Sequence, residues 1–167
     1  MAEGILRRAL KSAGHPEIEV ASSGTWGLRG EPATAHAVDV MSSTGIDIST
    51  HVARSLEPAD IVEADLVLAM TSVHLGEIEE LVPGSRDKVF LVKELVELDE
   101  ATMPPGATPE ERAAGLRRAR RAEWRRALDL DDPMGLPRFA YERAASEIEA
   151  GITRLVEILV PSPPDRS

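Results

Sequence analysis

Two apolar runs constrain the fold more than any other feature of the 167 residues: LVLAM, Leu66 to Met70, and VFLVKEL, which begins at Val89. Neither alternates apolar with polar side chains, so each reads as a strand covered on both faces. Between them Thr71 or Ser72 is placed to cap a helix with Leu75, Ile78 and Val82 turned inward. Pro83 and Gly84 then turn the chain into the second run. Strands alternating with helices in this way predict a parallel α/β sheet with helices on both faces.

The rest of the chain fits around that unit. MAEGILRRAL sets Ile5, Leu6, Ala9 and Leu10 on one helical face, and Gly14 and Pro16 stop the helix. No capping residue or loop is read before it, so the chain is expected to begin inside the element. IEVAS, Ile18 to Ser22, alternates and suits a short strand. After the Gly-rich SSGTWGLRGEP, Pro32 is expected in the first turn of a helix carrying Ala37, Val38 and Met41 and ended by Gly45. Tyr141, Ala145, Ile148, Ile152, Leu155 and Leu159 keep a helical period over five turns. With 43% hydrophobic residues, one domain over 1–160 is expected, with a charged insertion at about 102–128 and a loose tail at 161–167.

Composition removes several function classes. A net charge of −10 argues against nucleic acid or an anionic membrane surface as partner. No apolar run is long enough to span a bilayer and no secretion pattern opens the chain, so a cytoplasmic protein is expected. The Arg-rich stretch Glu110 to Arg126 has Trp124 as its one aromatic residue and reads as a charged helix laid on the surface. Deleting Thr108 to Arg126 is therefore expected to leave the core intact. Cysteine is absent, which excludes disulfides, thiolate zinc sites and any sulfur nucleophile from this chain. There is no GxxxxGK[ST], GxGxxG or GxSxG motif, and His15, His36, His51 and His74 are scattered. No metal and no cofactor are expected. DLDDPMG, Asp129 to Gly135, gathers three acids before the last helix. Asp-Pro is an ordinary turn signal, and a carboxyl at such a tip can also serve as general acid and then base. His51, taken alone, reads as a hydrogen-bonded structural residue.

In order along the chain, MAEGILRRAL, SSGTWGLRGEPATAHAV, GIDISTHVARSL, EADLVLAMTSVHL, KVFLVKEL and DDPMG with its helix resemble the low-molecular-weight protein tyrosine phosphatases. The six segments cover nearly the whole chain, leaving Thr102 to Leu128 as an expanded loop. The resemblance implies a three-layer α/β sandwich around a small parallel sheet. It implies hydrolysis of a phosphorylated protein or small phosphomonoester through a phosphocysteine, without metal or cofactor. In the family a strand and a Cys-x5-Arg-[Ser/Thr]-Pro loop precede the first helix. Bacterial members commonly continue Met-Ala-Glu, so Met1 is expected just after that Pro, with the first central strand and the loop missing. The loop's backbone nest and its forked Arg hold the phosphate, so the chain as given is expected to be inactive.

The resemblance also assigns supporting residues. Asp132 matches the general acid, Asp131 the second acid of its loop, and Ser23 and His51 the polar residues that brace the phosphate loop. Met134 stands where the family usually carries an aromatic side chain. Trp26 and Leu28 do not align with the rim aromatic, and Thr71 replaces an Asp of some members. The first two departures weaken phosphotyrosine against other phosphomonoesters. A missing strand would uncover side chains worth about 1.5–3 kcal/mol each, against a stability of about 5–15 kcal/mol. The chain alone is thus expected to be loose, aggregation-prone or self-associated through the exposed sheet. The alternatives are a non-catalytic pseudophosphatase that binds a partner, and an arsenate reductase, which would need further thiols.

Overall fold

The computed structural model describes residues 1–26, 29–98, 107–119 and 128–160. Leu28, Trp124, the tail 161–167 and the parts of the insertion at 102–106 and 120–127 lie outside the described residues. The helices are α1 (Ala2–Ser12), α2 (Ala35–Ser43), α3 (Pro58–Glu63), α4 (Ser72–Leu81), α5 (Pro109–Ala119) and α6 (Arg138–Leu159). The strands β1 (Val67–Ala69) and β2 (Val89–Leu91) pair in parallel, with Val67 opposite Val89 and Ala69 opposite Leu91. The fold is α/β around a small parallel sheet.

Local signals explain most of these elements. Thr71 caps α4 by accepting the His74 N–H, and Thr34 caps α2 by accepting the Ala37 N–H. Gly14 and Gly45, just past α1 and α2, have φ of +88° and +78°, a conformation that glycine adopts without a Cβ penalty. Three expectations need correction. Pro32 lies outside α2 and bridges Val52, because Thr34 supplies the cap and the helix starts after it. The second apolar run is a strand only to Leu91 and continues as a 3-10 helix, Val92–Glu97. The Glu94 carboxylate accepts the Leu91 N–H and tightens the chain there. Ile18–Ser22 forms no strand. Alternation supplies only half of a strand, and the other half is a hydrogen-bonded neighbour, which this segment lacks among the described residues.

Three apolar clusters fill the interior. α1, α2, Val92, Leu130 and α6 bury Ile5, Leu10, Met41, Tyr141, Ile148 and Ile152 together. α3, α4 and the outer face of the sheet enclose Ile61, Leu75, Ile78, Val89 and Leu91. The third joins Phe90, Leu95, Leu155 and Ile158 to Ala113 and Leu116 of α5.

That third cluster changes the standing of the insertion. Thr108 and Glu111 exchange hydrogen bonds as a capping box, so α5 starts on a defined signal. Arg112 is buried and gives Nη1–H to the Ile158 carbonyl at 3.1 Å, near the C-terminal end of α6, where a cation complements the helix dipole. The helix therefore closes the core, and the expectation that deleting Thr108 to Arg126 leaves the core intact fails on this packing. Leu116→Ala is expected to cost about 2–5 kcal/mol. A urea midpoint unchanged by that substitution would return α5 to the surface.

Candidate functional site

Two polar clusters back onto the same apolar cluster, into which Met1, Ala2, Met70 and Leu130 all pack. The first surrounds Glu3, in the first turn of α1. Its carboxylate pairs with Arg7 at 2.7 Å, accepts the Ser22 hydroxyl, and lies 3.9 Å from Nδ1 of His51. One acid thus ties α1 to the loops that follow Ile18 and Ile48. Ser23, next to the bonded Ser22, is exposed, and its side chain makes no hydrogen bond among the described residues.

The second cluster holds the DLDDPMG segment. Asp129 accepts the Ser72 N–H at 2.6 Å and the Ser72 hydroxyl at 3.0 Å, so it satisfies the N-terminal turn of α4 from outside the helix. Lys93 donates to the Asp129 carbonyl at 3.3 Å, and the Leu130 N–H bonds the carbonyl of Met70 at the end of β1. Leu130 itself is buried. The loop is therefore fixed at its base to the strand, the 3-10 helix and α4.

Beyond this anchor the chain turns sharply. Leu136 N–H bonds the Pro133 carbonyl at 2.9 Å, and Gly135 takes φ +75°. This is a type II turn, in which the third position favours glycine. The two acids before it differ. Asp131 pairs with Arg143 at 2.7 Å. Asp132 is exposed and accepts only the Met134 N–H, at 2.9 Å, with no Lys or Arg paired to it among the described residues. Met134, Leu136 and Phe139, which follow it in the chain, are exposed apolar side chains.

A family model for the low molecular weight phosphotyrosine protein phosphatase matches residues 1–104. The chain belongs to that family. A probable low molecular weight protein-tyrosine-phosphatase, EpsP of Ralstonia solanacearum, is 38% identical over 152 residues, spanning 91% of this chain and 81% of that protein. A protein-arginine-phosphatase of Geobacillus stearothermophilus is 31% identical over 144 residues, 86% of this chain and 78% of that one. The crystal structure of a low molecular weight protein tyrosine phosphatase from T. tengcongensis superposes with a TM-score of 0.71 at 33% identity, covering 93% of this chain and 87% of that one.

Within this phosphatase chain, the site residues expected from sequence fall into three places. Asp131, Asp132 and Met134 share the turn before α6. His51 stands at the Glu3 cluster. Ser23 sits one residue from the serine that Glu3 holds. Glu3 and Ser22 were not legible as site residues, and the anchoring role of Asp129 within DLDDPMG was not either, since each acts on a partner 19 or more positions away. The one local signal was the acid in the first turn of α1. Among the described residues no group of three His, Asp or Glu side chains could hold a metal, and no helix is long and apolar enough to cross a membrane.

Proposed function

We propose that this sequence belongs to a phosphatase acting on phosphorylated proteins, with Asp132 as the general acid that protonates the leaving oxygen and then activates water. One observation carries the reading: an unpaired carboxyl sits at the tip of a loop whose base is pinned to β1 and α4. Arg143 occupies Asp131, which becomes the supporting acid. Met134 forms part of the wall, and in a lengthened chain His51, near Glu3, and Ser23, next to the Ser22 that Glu3 holds, are the residues that would brace a phosphate loop.

The attacking thiolate is the part this chain does not carry, since its 167 residues include no cysteine. As given it therefore turns nothing over, and the pseudophosphatase alternative describes the same chain as a binder only. An arsenate reductase would need several thiols and ranks lower for the same reason. Self-association through the edge of β1 belongs to this reading, supported by the half-buried Leu66, Val67, Leu68 and Met70. A cytoplasmic site fits the same reading.

Phosphate release from phosphotyrosine and phosphoarginine peptides tests it. The chain as given is expected to release none above background. A lengthened chain that supplies a strand and a Cys-x5-Arg-Ser-Pro segment before Met1 is expected to hydrolyse at least one of them. Turnover by the cysteine-free chain would remove the thiolate from the mechanism. A folded but inert lengthened chain would leave the binding role.

A further inference from the structure

DLDDPMG carries one acid that the proposed reaction does not use. Asp129 is half-buried, and both of its carboxylate oxygens go to Ser72. One accepts the Ser72 N–H at 2.6 Å and the other the Ser72 hydroxyl at 3.0 Å. Two bonds to one residue fix the orientation of a carboxylate as well as its distance.

The main chain beside it is held from other elements. The Asp129 carbonyl accepts from Lys93 Nζ at 3.3 Å, and Lys93 pairs with Glu147 of α6 at 3.2 Å. The next N–H, that of Leu130, goes to the Met70 carbonyl, and the Leu130 side chain is buried. Asp132 follows Asp129 by three residues, a span of at most about 11 Å when fully extended. A swing at Asp129 therefore reaches the Asp132 carboxyl with little slack.

The bond serves the loop more than the helix. Thr71 already caps α4 by accepting the His74 N–H. Ser72 is half-buried, so water can take over its N–H where the carboxylate is removed. Leu130 stays buried in either case, so the fold survives while the loop loses its orientation.

We infer that Asp129 is the positioning residue of the acid loop, setting the Asp132 carboxyl at the leaving oxygen through its grip on Ser72. This rests on the phosphatase reading. A misplacement of about 1 Å can cost about 10²-fold in rate. Here the cost falls only on a reaction that needs the proton.

The test is the kinetics of the lengthened chain on phosphotyrosine and on p-nitrophenyl phosphate, whose leaving oxygen needs little help from a proton. Asp129→Ala is expected to lower kcat for phosphotyrosine about 10–10²-fold with KM little changed, and kcat for p-nitrophenyl phosphate less than about threefold. Asp129→Asn keeps an acceptor for the Ser72 N–H and is expected to recover most of the loss. Ser72→Ala removes the hydroxyl alone and should cost less than Asp129→Ala. In an Asp132→Asn background, Asp129→Ala should cause no further loss, because it acts through the acid. Hydrogen exchange needs no turnover: in Asp129→Ala the Leu130 amide should exchange about tenfold faster, with the Ile152 amide of α6 unchanged. The inference is overturned by unchanged exchange at Leu130, by equal losses on the two substrates, or by losses that add to those of Asp132→Asn. An unsubstituted lengthened chain that is inert toward both substrates overturns the phosphatase reading and this inference with it. An active one in which Asp129→Ala fails these expectations overturns this inference alone.

Discussion

In a lengthened chain that carries the Cys-x5-Arg segment, Asp132→Asn is expected to lower kcat for phosphotyrosine by about 10²–10⁴-fold. The size follows from the leaving group. A tyrosyl oxygen has a pKa near 10, so its departure as a bare anion is costly, and a proton delivered in the transition state removes most of that cost. Asparagine keeps the shape and the hydrogen bond from the Met134 N–H and has no proton to give. The loss should shrink with p-nitrophenyl phosphate, whose leaving oxygen is far less basic. Asp131→Asn, whose side chain pairs with Arg143, should cost much less. The pattern across the two substrates is therefore diagnostic. Equal losses for both substrates, or a larger loss at Asp131 than at Asp132, would move the acid role away from Asp132.

The sequence was most informative where a residue's role depends on its own neighbours. The period from Tyr141 to Leu159 predicted α6, whose Ile152 and Leu155 are deeply buried. The unbroken apolar runs predicted β1 and β2, and the Asp-Pro-Met-Gly string predicted a turn. Asp129 shows where this kind of reading stops. Three acids within four positions look equivalent, and only the arrival of Ser72, 57 positions earlier in the chain, makes one of them an anchor. Ile18–Ser22 shows the same limit from the other side, since a strand is a property of a pair of segments. α5 misled for a different reason. Its arginines read as a solvated face, but Arg112 is spent on backbone carbonyls, and Ala113 and Leu116 supply a narrow apolar stripe that the charges around them conceal.

Gly151→Ala is expected to destabilise the protein by about 3 kcal/mol or more, although glycine is a poor helix former. The intrinsic effect alone would favour alanine by about 1 kcal/mol in the middle of α6. The packing reverses the sign. A Cβ at Gly151 would lie 2.2 Å from the Val92 carbonyl oxygen and 2.8 Å from its Cγ1. Backbone cannot rotate away as a side-chain tip can, so α6 must lift from the 3-10 helix that follows β2. Ile148 and Ile152, which seal the largest apolar cluster, sit on the turns either side. The same lift would pull on the turn before α6 that holds Asp132, so stability and the position of the acid should fail together. Gly76 on α4 supplies the control, because a Cβ there meets nothing within 4 Å. Gly76→Ala should therefore raise stability by about 0.5–1 kcal/mol. Urea midpoints of the two variants settle the matter. Opposite shifts mean that α6 rests on Val92 through a gap only glycine fits, and a gain at both positions would mean the two elements are farther apart.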